Sequence, residues 1–152
     1  MKLSETDARE RLASAPVARL ATVRPDGSPH VVPVTFAVEG DVVYAAVDHK
    51  PKTRRSLLRL DNIARHPRVA LLADQYSDDW DQLWWVRVDG LASVVADADE
   101  ARHPIDALVE RYEQYRERRP GGPAIVIRVD HWSGWASSAP GAVSETGSMR
   151  RG

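Results

Sequence analysis

The chain of 152 residues has no cysteine. That excludes disulfides, thiolate metal ligands and a cysteine nucleophile. It has one phenylalanine and two methionines, so aliphatic side chains must supply most of any core. No charge of one sign dominates: 21 Lys and Arg stand against 22 Asp and Glu, a formal net charge of −1. This argues against wholesale binding to nucleic acid or to an acidic membrane surface. No apolar run approaches the roughly 20 residues that span a bilayer as a helix. Met1 to Asp7 is polar and lacks the apolar stretch of a signal peptide. The expectation is a soluble, cytoplasmic protein. No GxGxxG or Walker loop is present. Asp74, Asp78, Asp79 and Asp81 cluster without EF-hand spacing or a histidine pair, so no metal site is expected. No nucleophile–base pair is legible either, and an enzyme built this way needs a cofactor for the hard chemistry.

What is present is a chain 43% apolar and 28% charged, long enough for one domain with its own core. Ser4 and Asp7 read as a capping box, with Ala8, Leu12 and Ala15 at helical spacing before Pro16. Val17 to Val23 reads as a strand, and Pro25-Asp26-Gly27 as a turn. His30 to Val38 and Val42 to Val47 continue what looks like an antiparallel three-stranded meander. The middle strand is apolar on both faces, so it needs two covers. Pro33 within it marks an edge, a bulge or a ligand-facing gap.

A helix is expected from near Arg54, with Leu57, Leu60 or Asp61, and Ala64 on its apolar face, ending at His66-Pro67. Val69 to Ala73 reads as a strand, Gln75 to Asp81 as a polar loop, and Leu83 to Val95 as strand interrupted by a bulge or turn at Gly90. One helix is expected over Asp97 to Arg118, with its regular part starting near His103 because Pro104 suits a first turn. Ala124 to Trp132 is the last strand. The domain is expected to cover residues 1–136, and the Ser/Gly-rich remainder, 137–152, to be a flexible tail. Strands with short links favour a mainly β, antiparallel barrel with peripheral helices over a parallel sheet.

Two segments could carry function. In Lys50-Pro51-Lys52-Thr53-Arg54-Arg55, four cations crowd the start of a helix. Cations are disfavoured beside the positive end of a helix dipole, so their crowding points to a bound phosphate. A solvated basic patch and a short nucleic-acid footprint are the other readings. The second segment holds Trp80, Trp84 and Trp85, with Trp132 and Trp135 later in the chain. Adjacent tryptophans on a strand point to opposite faces, one into a barrel and one toward a partner or a flat ring. The five histidines are scattered and read as structural.

The run from Arg19 to Phe36, then Lys52-Thr53-Arg54, a leucine-bearing helix and His66-Pro67-Arg68-Val69-Ala70-Leu71-Leu72 resemble the pyridoxamine 5'-phosphate oxidase-like split-barrel proteins, over about residues 4 to 136. The Asp78-Asp79-Trp80 and Leu83 to Gly90 segments resemble the actinobacterial branch that uses the deazaflavin coenzyme F420. The resemblance implies an antiparallel split β-barrel and a homodimer with cofactor sites at the subunit interface. It implies redox chemistry on a small organic molecule. Val32, Pro33 and Val34 would line the ring, with Ala46, Val47 and Asp48 nearby. Lys50, Lys52, Thr53 and Arg54 would hold the phosphate, and Trp85 and Trp135 would reach across the dimer. The Arg-Ser-x-Lys pattern and arginine tail of the vitamin B6 oxidases have no counterpart here, and Ala45-Ala46-Val47 replaces the Ser/Thr-rich strand end of flavin mononucleotide (FMN) binders. Both departures favour F420. An FMN-dependent enzyme, or a non-catalytic flavin or haem carrier, are the alternatives.

Overall fold

The computed structural model describes residues 1–47 and 54–137, with backbone alone for 54–57. Helix α1 (Glu5–Ser14) begins as its capping residues dictate: the Ser4 hydroxyl accepts the Asp7 N–H at 3.1 Å. Ala8 and Leu12 turn inward. Strands β1 (Ala18–Val23) and β2 (Pro29–Val34) form a hairpin. At its tip Gly27 takes φ +86°, and Asp26 accepts the Ser28 N–H at 2.9 Å. Strands β3 (Phe36–Glu39) and β4 (Val42–Ala46) form a second hairpin. Then come α2 (Arg54–Arg65), β5 (Arg68–Gln75), a 3₁₀ turn at Trp80–Gln82, β6 (Trp84–Val95), α3 (Ala98–Arg111), α4 (Glu113–Glu117) and β7 (Ala124–Ala136).

All seven strands join one antiparallel sheet in the order β2-β1-β5-β6-β7-β4-β3. Strands β2 and β3 occupy opposite edges of that order, yet only Thr35 separates them in the chain. The sheet must therefore curl until its two edges meet at Thr35, which makes it a half-barrel. The fold is the expected one, mainly antiparallel β with few helices. The expected meander is corrected: His30 to Val38 is not one strand but two, each paired with a different neighbour. Pro33 lies on the edge strand β2, where its missing N–H costs no ladder bond.

The inward rows of Leu20, Leu71, Val86, Val88, Val43, Ile125 and Ile127 fill the barrel, capped by Leu12 and Ile63. On the outside of β3 and β4, Leu108 of α3 covers Ala37, Tyr44 and Ala46. Outward residues of the remaining strands stay exposed: Val31 by 59%, Leu72 by 39%, Trp85 by 37% and Trp135 by 38%.

Three local expectations are revised. Helix α3 starts at Ala98, because the Asp97 carboxylate caps it by accepting the Glu100 N–H at 3.2 Å, and Pro104 sits buried within it. The expected single helix is broken at Tyr112, whose backbone is extended (φ −120°, ψ 120°). The last strand runs on to Ala136, paired with β6 along its whole length past a bulge at Asp89 and Gly90. Ser137 is tied to the Leu83 carbonyl, and residues from 138 onward lie outside the description. Among the described residues no helix is long and apolar enough to cross a membrane.

Candidate functional site

The break at Thr35 is a structural problem that the helices solve. A residue between two strands leaves backbone groups without ladder partners, and buried ones are costly. The Phe36 N–H is taken by the Tyr112 hydroxyl at 2.9 Å, and that hydroxyl donates in turn to the Pro16 carbonyl at 3.1 Å. The Thr35 carbonyl accepts the Ala46 N–H at 3.3 Å. The Thr35 and Tyr115 hydroxyls share a 2.6 Å hydrogen bond. Arg111 stacks 4.9 Å over the Tyr112 ring and donates to the Ala15 carbonyl at 3.0 Å. The extended backbone at Tyr112 is what lets Tyr112 and Tyr115 both reach the break. Burial raises the Tyr112 phenol above its usual range.

Beside this break lies a cavity of about 240 Å³. Val17, Pro33, Val34 and Ala46 form its apolar wall, and Thr35, Tyr115 and Arg59 its polar groups. Arg59 comes from α2, whose inner face continues to Asn62 and Ile63, both buried. The Asn62 amide donates to the Thr22 hydroxyl at 3.1 Å, and Thr22 opposes His30 in the β1–β2 ladder. Burial holds the His30 imidazole below its ordinary value, with the Arg24 and Arg59 charges adding to the effect. Of the expected α2 face, Leu60 packs against the core, the Leu57 side chain lies outside the description, and Ala64 is exposed, while Asn62 and Ile63 are the buried residues.

Of the residues singled out in the sequence, Pro33, Val34 and Ala46 meet in this cavity. Val32 and Val47 pack against the barrel core instead. Arg54 opens α2, and Asp48, Lys50, Lys52 and Thr53 lie outside the described residues. Trp85 and Trp135 are register partners on the outer face of β6 and β7. Within one chain they do not line the cavity, since Trp135 sits at the far end of β7 from Ala124, the partner of Ala46. Sequence reasoning missed Thr35, Arg59, Asn62 and Tyr115. Thr35 is the sole hydroxyl in the apolar run 31–38, and Arg59 and Asn62 are polar residues three apart on a packed helix face. Those were usable signals. Tyr115 had none, because its partner is distant in sequence.

Comparison with known proteins places this architecture. A family model described as pyridoxamine 5'-phosphate oxidase matches residues 4–136. The chain belongs to that family. Among relatives of this pyridoxamine 5'-phosphate oxidase family member, the F420H(2)-dependent biliverdin reductase of Mycobacterium tuberculosis is 30% identical over 123 residues, covering 81% of this chain and 80% of the relative. A solved FAD-binding protein of Mesorhizobium loti superposes with a TM-score of 0.67 at 23% identity, covering 88% of this chain and 95% of the other. The FAD-binding protein of Mycobacterium smegmatis gives 0.60 at 21% identity, with 89% and 96% covered. At such identities the two structures support the fold.

The cavity sets apolar side chains beside a cation and two hydroxyls. A lining that combines apolar surface with a few placed polar groups is found in cofactor sites.

Proposed function

We propose that this protein is an F420-dependent oxidoreductase acting on a small organic substrate. Membership of the pyridoxamine 5'-phosphate oxidase family supports a flavin-type or deazaflavin cofactor. The observation that carries the finer reading is the F420H(2)-dependent relative, matched over four-fifths of both chains. When bound, the coenzyme supplies the chemistry of hydride transfer. The chain's own contribution is to hold and orient it. Val17, Pro33, Val34 and Ala46 keep water from one side of the cavity, and the cations from Lys50 to Arg55 neutralise the phosphate and acidic tail. F420 carries a phosphodiester and a polyglutamate tail, so it gains more from that cluster than FMN does. Fluorescence titration should therefore rank F420 above FMN, and the reverse ranking would discard this assignment.

The working unit in this reading is a homodimer. Val31, Leu72, Trp85 and Trp135 present apolar surface on one side of the sheet, as expected of an interface of about 2,000 Å² or more in total. Sedimentation should find a dimer at micromolar concentration, whereas a stable folded monomer would refute it.

A further inference from the structure

We infer that Tyr115 is a movable wall of the cavity beside Thr35: its hydroxyl latches α4 to the strand break, and a ligand enters and stays by displacing it. This rests on the cofactor reading above and deepens it, by naming the part of the site that gives way before a ring is held.

The two tyrosines that reach the break are held differently. The Tyr112 hydroxyl accepts the Phe36 N–H at 2.9 Å and donates to the Pro16 carbonyl at 3.1 Å, and Arg111 stacks on its ring. Moving it would leave a main-chain N–H unpaired, which is costly, so Tyr112 is the fixed side. The Tyr115 hydroxyl, among the described residues, makes one hydrogen bond, at 2.6 Å to the Thr35 hydroxyl. Both partners in that bond are side chains. Breaking it leaves no backbone group unpaired. The Tyr115 ring is half-buried, edge-on to Tyr112 at 5.5 Å between centroids and against the small apolar cluster of Ala37, Tyr44, Ala46 and Leu108.

The element that carries Tyr115 is loosely attached. Helix α4 has five residues, none of them buried. Its flanks are both extended, Tyr112 at φ −120°, ψ 120° and Arg118 at φ −138°, ψ 91°. Hinges are a few such residues at the ends of an element. On the side of α3, Arg116 donates to the Val109 and Glu110 carbonyls at 3.3 Å and 2.7 Å. On the side of the sheet, among the described residues, Tyr115 supplies the side-chain hydrogen bond of α4. That helix can therefore tilt away from the break about Tyr112 while the barrel stays closed.

With the latch shut the cavity holds about 240 Å³, below the roughly 300–1,000 Å³ of pockets that enclose cofactors and other small ligands. Pro33, Val34 and Ala46 in its wall belong to strands, whereas Tyr115 comes from α4. Withdrawing Tyr115 enlarges the space without disturbing the sheet. A ligand that needs the open form pays for its scarcity, because apparent affinity is reduced by the fraction of molecules that are open. The latch is one neutral hydrogen bond, so deleting it should raise that fraction about two- to tenfold.

The test is a loss of a hydrogen bond that improves binding. Equilibrium and stopped-flow fluorescence are measured for F420, and in parallel for FMN, with native protein, Tyr115→Phe and Thr35→Val. The two variants delete the same bond from opposite ends. Each should bind about two- to tenfold more tightly than native protein, through faster association with dissociation unchanged. Tyr112→Phe, which unsettles the fixed side, should bind more weakly. Weaker binding by Tyr115→Phe and Thr35→Val through faster dissociation would make the hydroxyls ligand contacts and overturn the inference. Equal rises in both rates, leaving affinity as in native protein, would mean that the wall recloses over the ligand and would overturn the displaced state. Native-like rates in both folded variants would remove the latch. If one variant does not fold, the other carries the comparison; if neither folds, the bond is structural and the inference falls. Should native protein bind neither F420 nor FMN, the cofactor reading itself fails and takes this inference with it, whereas native binding without the predicted shift removes this inference alone.

Discussion

Tyr112 and Phe36 are joined by a bond that closes the barrel: the tyrosine hydroxyl accepts the Phe36 N–H at 2.9 Å exactly where the chain leaves one sheet edge for the other. The same hydroxyl donates to Pro16, so one side chain ties the helical layer to both β3 and the end of α1.

Tyr112→Phe keeps the ring and deletes this hub. It leaves the Phe36 N–H without its partner in a half-buried setting, which costs about 1–3 kcal/mol. For a chain of this size that is roughly 2–12 °C in melting temperature. Because Tyr115 and Thr35 line the cavity next to it, ligand affinity should fall as well. A melting curve unchanged from native would show that solvent replaces the bond without loss.

The strands and turns were legible in the sequence because they are local. Val42 to Val47 is an unbroken apolar run, Gly27 and Gly40 sit in turns, and Ser4 caps a helix. The break at Thr35 was not legible, since β2 and β3 choose their neighbours from β1 and β4, and sequence alternation is blind to which neighbour a strand takes. The same limit hid the break at Tyr112. Its helical pattern continues, but the demand for two tyrosines at the sheet edge overrides it. At the site, Pro33, Val34 and Ala46 were found through a resemblance, whereas Arg59 and Tyr115 depend on how α2 and α4 pack over the curl.

A pH response follows from His103 on α3 and Glu39 at the end of β3. The imidazole Nε2 lies 2.8 Å from one Glu39 oxygen, which also accepts from Tyr44 at 3.0 Å. The Glu39 hydrogen bond, then its charge, raises the His103 value above the ordinary 6.5. Stability from this group is therefore fully present below 6.5 and is lost as pH rises through the raised value. The Glu39 carboxyl is held below its ordinary 4.5, first by the His103 bond and then by Tyr44. Its contribution is present above 4.5 and is lost as pH falls through the lowered value. The pair is exposed, so salt should flatten the effect. Denaturant melts between about pH 5 and pH 8 should show a decline at the alkaline end that His103→Gln abolishes. An identical slope in that variant would assign the decline to other groups.

Gly90 is set by close approach rather than by dihedral freedom. A Cβ there would stand 2.3 Å from the Arg128 carbonyl oxygen, which is backbone and cannot swing aside. It sits at the bulge where the β6–β7 register shifts. Gly90→Ala should cost about 1–3 kcal/mol or more, as overpacking does, and a chemical denaturation midpoint will read it. Gly121→Ala is the control, since nothing lies within 4 Å of its added methyl, and it should change the midpoint little.

Lys52 tests the phosphate side of the proposed site. It lies in the polar segment between β4 and α2, and its charge is one of those that the family resemblance, with Lys50, Thr53 and Arg54, places on phosphate. A charge-assisted hydrogen bond of this kind contributes roughly 1.5–3 kcal/mol, and each 1.4 kcal/mol is about tenfold in affinity. Lys52→Ala should therefore weaken F420 by roughly ten- to a hundredfold, with a larger deficit at low salt because screening weakens the native pair. Lys52→Arg should lose less, since the charge stays while the geometry changes. A ribityl deazaflavin lacking the phosphate supplies the internal comparison: its affinity should not change in Lys52→Ala. A solvated basic patch predicts instead that Lys52→Ala binds F420 as native protein does. Equal affinities at low salt, with an unchanged melting curve, would move the phosphate away from Lys52.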